Sequence, residues 1–230
     1  MPFVNLSLLL LLAVQENVEP ANMSFGMKRP NLVAIGLRAK TARAIAVVLG
    51  GSIDSPVVVT KTEFKLADSK IPATVQPYHE VMDLPWEESQ IAVRTSAAQI
   101  ESIARTTLAH LIEELHKEGM KVSGVGIVGA KDRDLARIGN PHIRAHAAEG
   151  VLFRRVLDLA ADASGLRRET FPDREFDQIT KARIRSDIAA VRRTLNDLGR
   201  TVAPPWRVDE KQAATAAWLV LHRSLQNRER

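Results

Sequence analysis

The stretch Trp206-Arg207-Val208-Asp209-Glu210-Lys211-Gln212-Ala213-Ala214-Thr215-Ala216-Ala217-Trp218-Leu219-Val220-Leu221 constrains the fold of this chain more than any other. Asp209 and Glu210 fall in the first turn of a predicted helix, where the positive end of the helix dipole favours acids. Behind them come four alanines with little side-chain bulk. How closely a helix approaches its neighbour depends on the side chains at the contact, so this one is built to lie close on a sheet. The rest of the chain must supply that sheet.

It does so first with three strands. Asn31 to Leu37 is a nearly continuous apolar run, as expected of a buried strand. Arg38-Ala39-Lys40-Thr41 reads as a polar connection, and Ala42 to Leu49 as a second strand. Gly50-Gly51-Ser52-Ile53-Asp54-Ser55 is a strong turn signal, followed by a β-branched third strand from Pro56 to Phe64. Links this short predict an antiparallel meander. Leu66 to Pro85 is a long irregular segment carrying Tyr78, His79 and Glu80, of a length that often serves as a lid or binding loop.

From Trp86 to about Met120 the apolar period becomes helical, through Ile100, Ile103, Ala104, Leu108, Leu111, Ile112 and Leu115. Gly119 stops that helix. Lys121 to Ala130 is a glycine-interrupted fourth strand, and Asn140-Pro141 opens a helix to about Ser164 with Asn as N-cap. A short fifth strand over Leu166–Phe171, a basic helical stretch from Arg174 to Gly199 and a Pro204-Pro205 break precede the last helix. The order β-β-β-α-β-α-β-α-α makes this an α/β chain with a single domain over residues 31–227.

Residues 1–30 read as a leader. The apolar run from Val4 to Val14 falls short of the roughly 18 residues a bilayer requires, so no membrane partner is expected. It also lacks the basic n-region of a signal peptide, and a start at Met23 or Met27 accounts for it best. There is no cysteine, which excludes disulfides, thiolate metal sites and a Cys nucleophile and agrees with a cytoplasmic location. A formal charge of +5 favours an anionic partner, whereas only 4% aromatic residues argue against a surface that stacks bases.

Two groups stand out by spacing. His142, His146 and Glu149 at i, i+4 and i+7 share one helix face. Two His so placed make a feasible Zn²⁺ pair needing one more ligand, such as His79 or Asp209; a proton relay or a plain hydrated pair would share the spacing. The metalloprotease pattern His-Glu-x-x-His is absent. Lys181 to Arg200 carries six basic residues against two acids, so Arg183, Arg185, Arg192, Arg193 and Arg200 could follow a phosphate backbone. Their stems could equally cover apolar surface, and Arg154-Arg155 poses the same choice.

The element order resembles that of the RNase H-like superfamily. The stretch Val33 to Leu49, with Ile35-Gly36-Leu37-Arg38, looks like the family's strand–turn–strand opening, Ile-Gly-Ile-Asp-Pro-Gly. Arg144 to Leu157, with Gly150-Val151-Leu152, and the acid-opened alanine-rich closing helix resemble RuvC-type Holliday junction resolvases. The resemblance implies an RNase H-like mixed sheet, a nucleic-acid partner, a homodimer, and Mg²⁺ or Mn²⁺ held by carboxylates.

The carboxylate set departs from that pattern. The family's first Asp falls here at Leu37 or Arg38, and its fourth-strand acid at Ile127 or Val128. Asp209 or Glu210 matches the closing-helix acid, and catalysis would require Asp132, Asp134 or Glu149 to complete the set. Arg38, Lys40 and Thr41 reverse the local field in favour of phosphate. The expectation is an RNase H-fold, nucleic-acid-associated protein, divergent or inactive as a resolvase-like nuclease. The alternatives are an actin-like or sugar-kinase-type phosphate binder and a non-catalytic interaction module. The first lacks its hairpin Asp here, and the second predicts that these polar groups scatter.

Overall fold

The computed structural model describes residues 31–184 and 187–226; the leader and Arg185 lie outside the described residues. The strands are β1 (Leu32–Lys40), β2 (Arg43–Gly51), β3 (Pro56–Lys65), β4 (Lys121–Gly129) and β5 (Arg168–Pro172). The helices are α1 (Trp86–Ala92), α2 (Arg94–Lys117), α3 (Pro141–Ala163), α4 (Phe176–Ile184), α5 (Ile188–Gly199) and α6 (Val208–Gln226). All five strands form one sheet in the order β3-β2-β1-β4-β5. β1 pairs antiparallel with β2, and β2 with β3, whereas β1–β4 and β4–β5 are parallel. This mixed α/β sheet has the antiparallel meander and the two added parallel strands that the resemblance to the RNase H-like fold implies.

Strand alternation sorts β1 between two layers. Val33, Ile35, Leu37 and Ala39 enter one core with Ile100, Ala104 and Leu108 of α2 and Phe153, Val156 and Leu157 of α3. Ala34 enters the other, with Val191 and Leu195 of α5 and Ala213, Ala214, Ala217 and Trp218 of α6. Gly36 and Gly126, register partners on β1 and β4, lie beneath α6. A Cβ at Gly126 would stand 2.6 Å from the Ala216 carbonyl, and one at Gly36 would run into that of Ala213. Glycine on the sheet and alanine on the helix therefore set the close approach expected of the closing helix.

Three boundaries differ from the sequence reading. The first hairpin turns on Thr41-Ala42 alone, so Arg38 and Lys40 belong to β1 and not to a connection. The reason is pairing on both sides: Arg38 is in register with Ile45 of β2 and Val128 of β4, which extends the ladder past the apolar run. The helical region after Trp86 divides at the buried Val93, and the basic stretch divides into α4 and α5. The α3 N-terminus is as expected, the Asn140 side chain accepting from the Ile143 amide at 3.0 Å. Among the described residues, no helix is long and apolar enough to cross a membrane.

Candidate functional site

Because β1 continues through Lys40, residues 38 and 40 point to the α6 side of the sheet, where α6 begins. Arg38 is 13% exposed and makes ion pairs with Asp173, just past β5, and with Asp209 of α6. Its Nη1 also donates to the Val128 carbonyl at 3.4 Å. Lys40 Nζ lies 3.3 Å from the other Asp209 oxygen. Two cations and two carboxylates thus neutralise one another. Beside them, at the carboxyl ends of β4 and β5, opens a cleft of about 350 Å³ lined by Lys131, Asp132, Arg133, Asp173, Arg174 and Glu175.

The structure thus brings Arg38, Lys40 and Asp209 together, gathers His142, His146 and Glu149 elsewhere with His79, and directs Glu210, Asp132 and Thr41 away from both groups. Glu210 is buried and accepts from the Arg207 amide at 2.7 Å. It caps the helix from its third position, as the acid of a capping box does. Asp132 pairs with Arg154, whose stem packs against Gly129 on the α3 side of the sheet. Thr41 is an exposed turn residue. Lys61 of β3 holds the segment before α6, donating to the Ala203 and Pro205 carbonyls at 2.7 and 2.8 Å. Burial lowers its pKa, against the opposing charge of Glu210.

Glu149 sits in a second group, on α3. It is fully buried, and its Oε1 accepts from His79 Nδ1 at 2.8 Å and from the His79 amide at 3.3 Å. His142 and His146, exposed one turn apart, hold their Nε2 atoms 3.1 Å from each other. The His79 ring stands edge-on to both, at centroid distances of 5.0 and 4.4 Å.

The segment carrying His79 is ordered by its own contacts. Tyr78 stacks on Trp86 at 5.6 Å, and the Arg144 guanidinium of α3 lies over that indole. The buried Ser89 hydroxyl donates within reach of the Val81, Leu84 and Pro85 carbonyls. Burial raises the Tyr78 pKa, partly offset by Arg155.

Among the described residues, one group of three has ligand atoms close enough to share an ion: His79, His142 and His146, all within 4.8 Å. The carboxylates of Asp132, Glu149, Asp209 and Glu210 do not form such a group. Three arginines of the basic stretch are ion-paired: Arg183 with Glu169, Arg192 with Asp177 at 3.6 Å, and Arg200 with Asp197 at 2.8 Å. Sequence reasoning missed Asp173 as a partner of Arg38. The available signal was its position just beyond the carboxyl end of a parallel strand, where α/β sheets gather functional groups.

At this edge of the mixed sheet the first-turn acid of the closing helix, Asp209, is held by two cations. No protein-family model matches the sequence, and no curated protein does. The chain is similar to two solved structures of RuvC from Thermus thermophilus, one of the protein and one in complex with a Holliday junction substrate. Each gives a TM-score of 0.46 and covers 86% of this chain and 96% of that one, at 12% and 13% identity.

Proposed function

We propose that this chain is a nucleic-acid-associated RNase H-fold protein in which ion pairs have replaced the metal-dependent cleavage centre. The observation that carries this reading is the double engagement of Arg38 with Asp173 and Asp209. Two-metal phosphodiester hydrolysis needs carboxylates that hold two Mg²⁺ or Mn²⁺ ions about 4 Å apart. Here a guanidinium stands at the resemblance's first carboxylate position, and Lys40 takes the remaining Asp209 oxygen. A divalent ion would have to displace both cations to reach that acid.

The net charge of +5 gives a polyanion its attraction, while along the adjoining cleft Lys131, Arg133 and Arg174 alternate with the acids Asp132, Asp173 and Glu175. The phosphate-binding alternative is weaker, because Arg38 already directs its donors to Asp173, Asp209 and the Val128 carbonyl. A homodimer, as the resemblance implies, would carry two such clefts.

The test is a native-gel titration of the full chain with labelled four-way junction, duplex and single-stranded DNA, with and without Mg²⁺ or Mn²⁺. Salt-sensitive shifts without cleavage are expected, with the mass of the shifted species reporting the dimer. Metal-dependent cleavage that Asp209→Ala abolishes would replace this reading with that of a divergent nuclease. No shift at low salt on any substrate would remove nucleic acid as the partner.

A further inference from the structure

On the opposite face of the sheet from the Arg38 cluster, and independently of the proposed function, we infer a mononuclear transition-metal site. Its ligands are His79, His142 and His146, and Glu149 orients it. Imidazole donors without thiolates suit zinc and its first-row neighbours and not Mg²⁺. Four ligands placed tetrahedrally about 2.0–2.1 Å from zinc stand about 3.3 Å from one another. The Nε2 atoms of His142 and His146 are already 3.1 Å apart, and all three ligand atoms lie within 4.8 Å. Small rotations of two exposed rings close that triangle.

Two unsatisfied atoms point to the ion. With Nδ1 of His79 directed to the Glu149 carboxylate, which can only accept when ionised, Nε2 is the ring nitrogen left for a ligand. That Nε2 is buried and has no hydrogen-bond partner among the described residues. Glu149 is a fully buried carboxylate whose Oε2 is also unpartnered. A buried acid and an orphaned ring nitrogen are both costly left alone, and a divalent cation on the far side of the imidazole relieves both. Carboxylate, imidazole and metal in line is the arrangement that fixes the tautomer and raises the basicity of a ligating histidine.

The site joins two parts of the chain. His142 and His146 come from one face of α3, and His79 comes from the segment that crosses to it. Metal binding therefore ties that segment to α3. Because His142 and His146 are exposed, the fourth position faces water, the form that metal-activating sites take rather than closed structural ones.

Zinc, cobalt and magnesium would be titrated into the metal-stripped full chain, following heat by calorimetry, melting temperature and the visible spectrum with Co²⁺. One Zn²⁺ per chain is expected, with a raised melting temperature, a tetrahedral or five-coordinate cobalt spectrum and no response to Mg²⁺. His142→Gln and His146→Gln, both on exposed positions, should abolish tight binding without unfolding the chain. Glu149→Gln should weaken it about 10–100-fold, the usual effect of losing an orienting carboxylate. Failure of the full chain to bind Zn²⁺ would overturn the inference. So would unchanged affinity in His79→Gln, since the helical pair alone would then account for the binding.

Discussion

The two faces of the sheet's carboxyl edge treat polar groups in opposite ways. On the α6 face, Arg38, Lys40, Asp173 and Asp209 are matched in charge and bonded to one another. On the α3 face, His79 Nε2 and Glu149 Oε2 are buried with nothing to bond. A set of charges that completes itself has little left for a metal, whereas an incomplete buried set has a place for one. Residue type would have assigned the roles the other way, since acids are the usual Mg²⁺ ligands. Pairing, more than composition, distinguishes the two.

The contrast depends on α6 lying close enough to put Asp209 over β1. Gly36→Val should break it most severely, because the new Cβ meets helix backbone that cannot rotate away. Overpacking of this kind costs about 3 kcal/mol or more where backbone must move, and urea unfolding at fixed pH would measure it. A loss below about 1 kcal/mol would mean that α6 is loosely seated and that the Asp209 pairs are not enforced by packing.

Arg38→Ala comes next. It takes from Asp173 and Asp209 the guanidinium that pairs with both and leaves Lys40 at Asp209, at a cost of about 1–3 kcal/mol in the same assay. Arg38→Asp sharpens the comparison, since it gathers three carboxylates where the cation stood. In a chain that also carries His142→Gln and His146→Gln, its melting temperature should fall in EDTA and recover with Mn²⁺, while the same chain with Arg38 intact shows no Mn²⁺ response. Equal melting temperatures for Arg38→Asp with and without Mn²⁺ would show that the edge cannot be converted into a metal centre by charge alone.

The smallest expected effect separates the faces by alkaline titration. On the α6 side, burial holds Lys61 below its ordinary value of 10.5, with Glu210 opposing. Between the lowered value and 10.5 the unfolded chain binds more protons, so this group makes stability rise with pH. On the α3 side, burial lifts Tyr78 above 10.0, against the charge of Arg155. Its contribution is fully present below 10.0 and is lost as pH rises through the folded value. In urea unfolding across that window, Tyr78→Phe should flatten the alkaline loss and Lys61→Met should steepen it. Identical slopes in both variants would mean that neither burial is felt.

Much of this architecture was legible in residue order. The meander over β1–β3, the glycine-interrupted β4, the Asn140-Pro141 helix start and the alanine-rich α6 all follow from periodicity and terminal signals that act within a few residues. The His142–His146 spacing likewise follows from helix geometry alone. The first hairpin shows where such reading stops. Arg38 and Lys40 are polar and looked like a turn, but the ladder to β2 carries both, and the ladder to β4 reaches Arg38, which keeps them in the strand.

Three further facts were decided by the tertiary structure alone. Arg38 meets Asp209 across 171 positions and Asp173 across 135, and His79 meets Glu149 across 70. Elements are written locally because φ/ψ preferences, caps and apolar periods are local. Which charge finds which partner depends on strand order and on how closely α6 can settle on Gly36 and Gly126, and those are set only when the whole sheet closes.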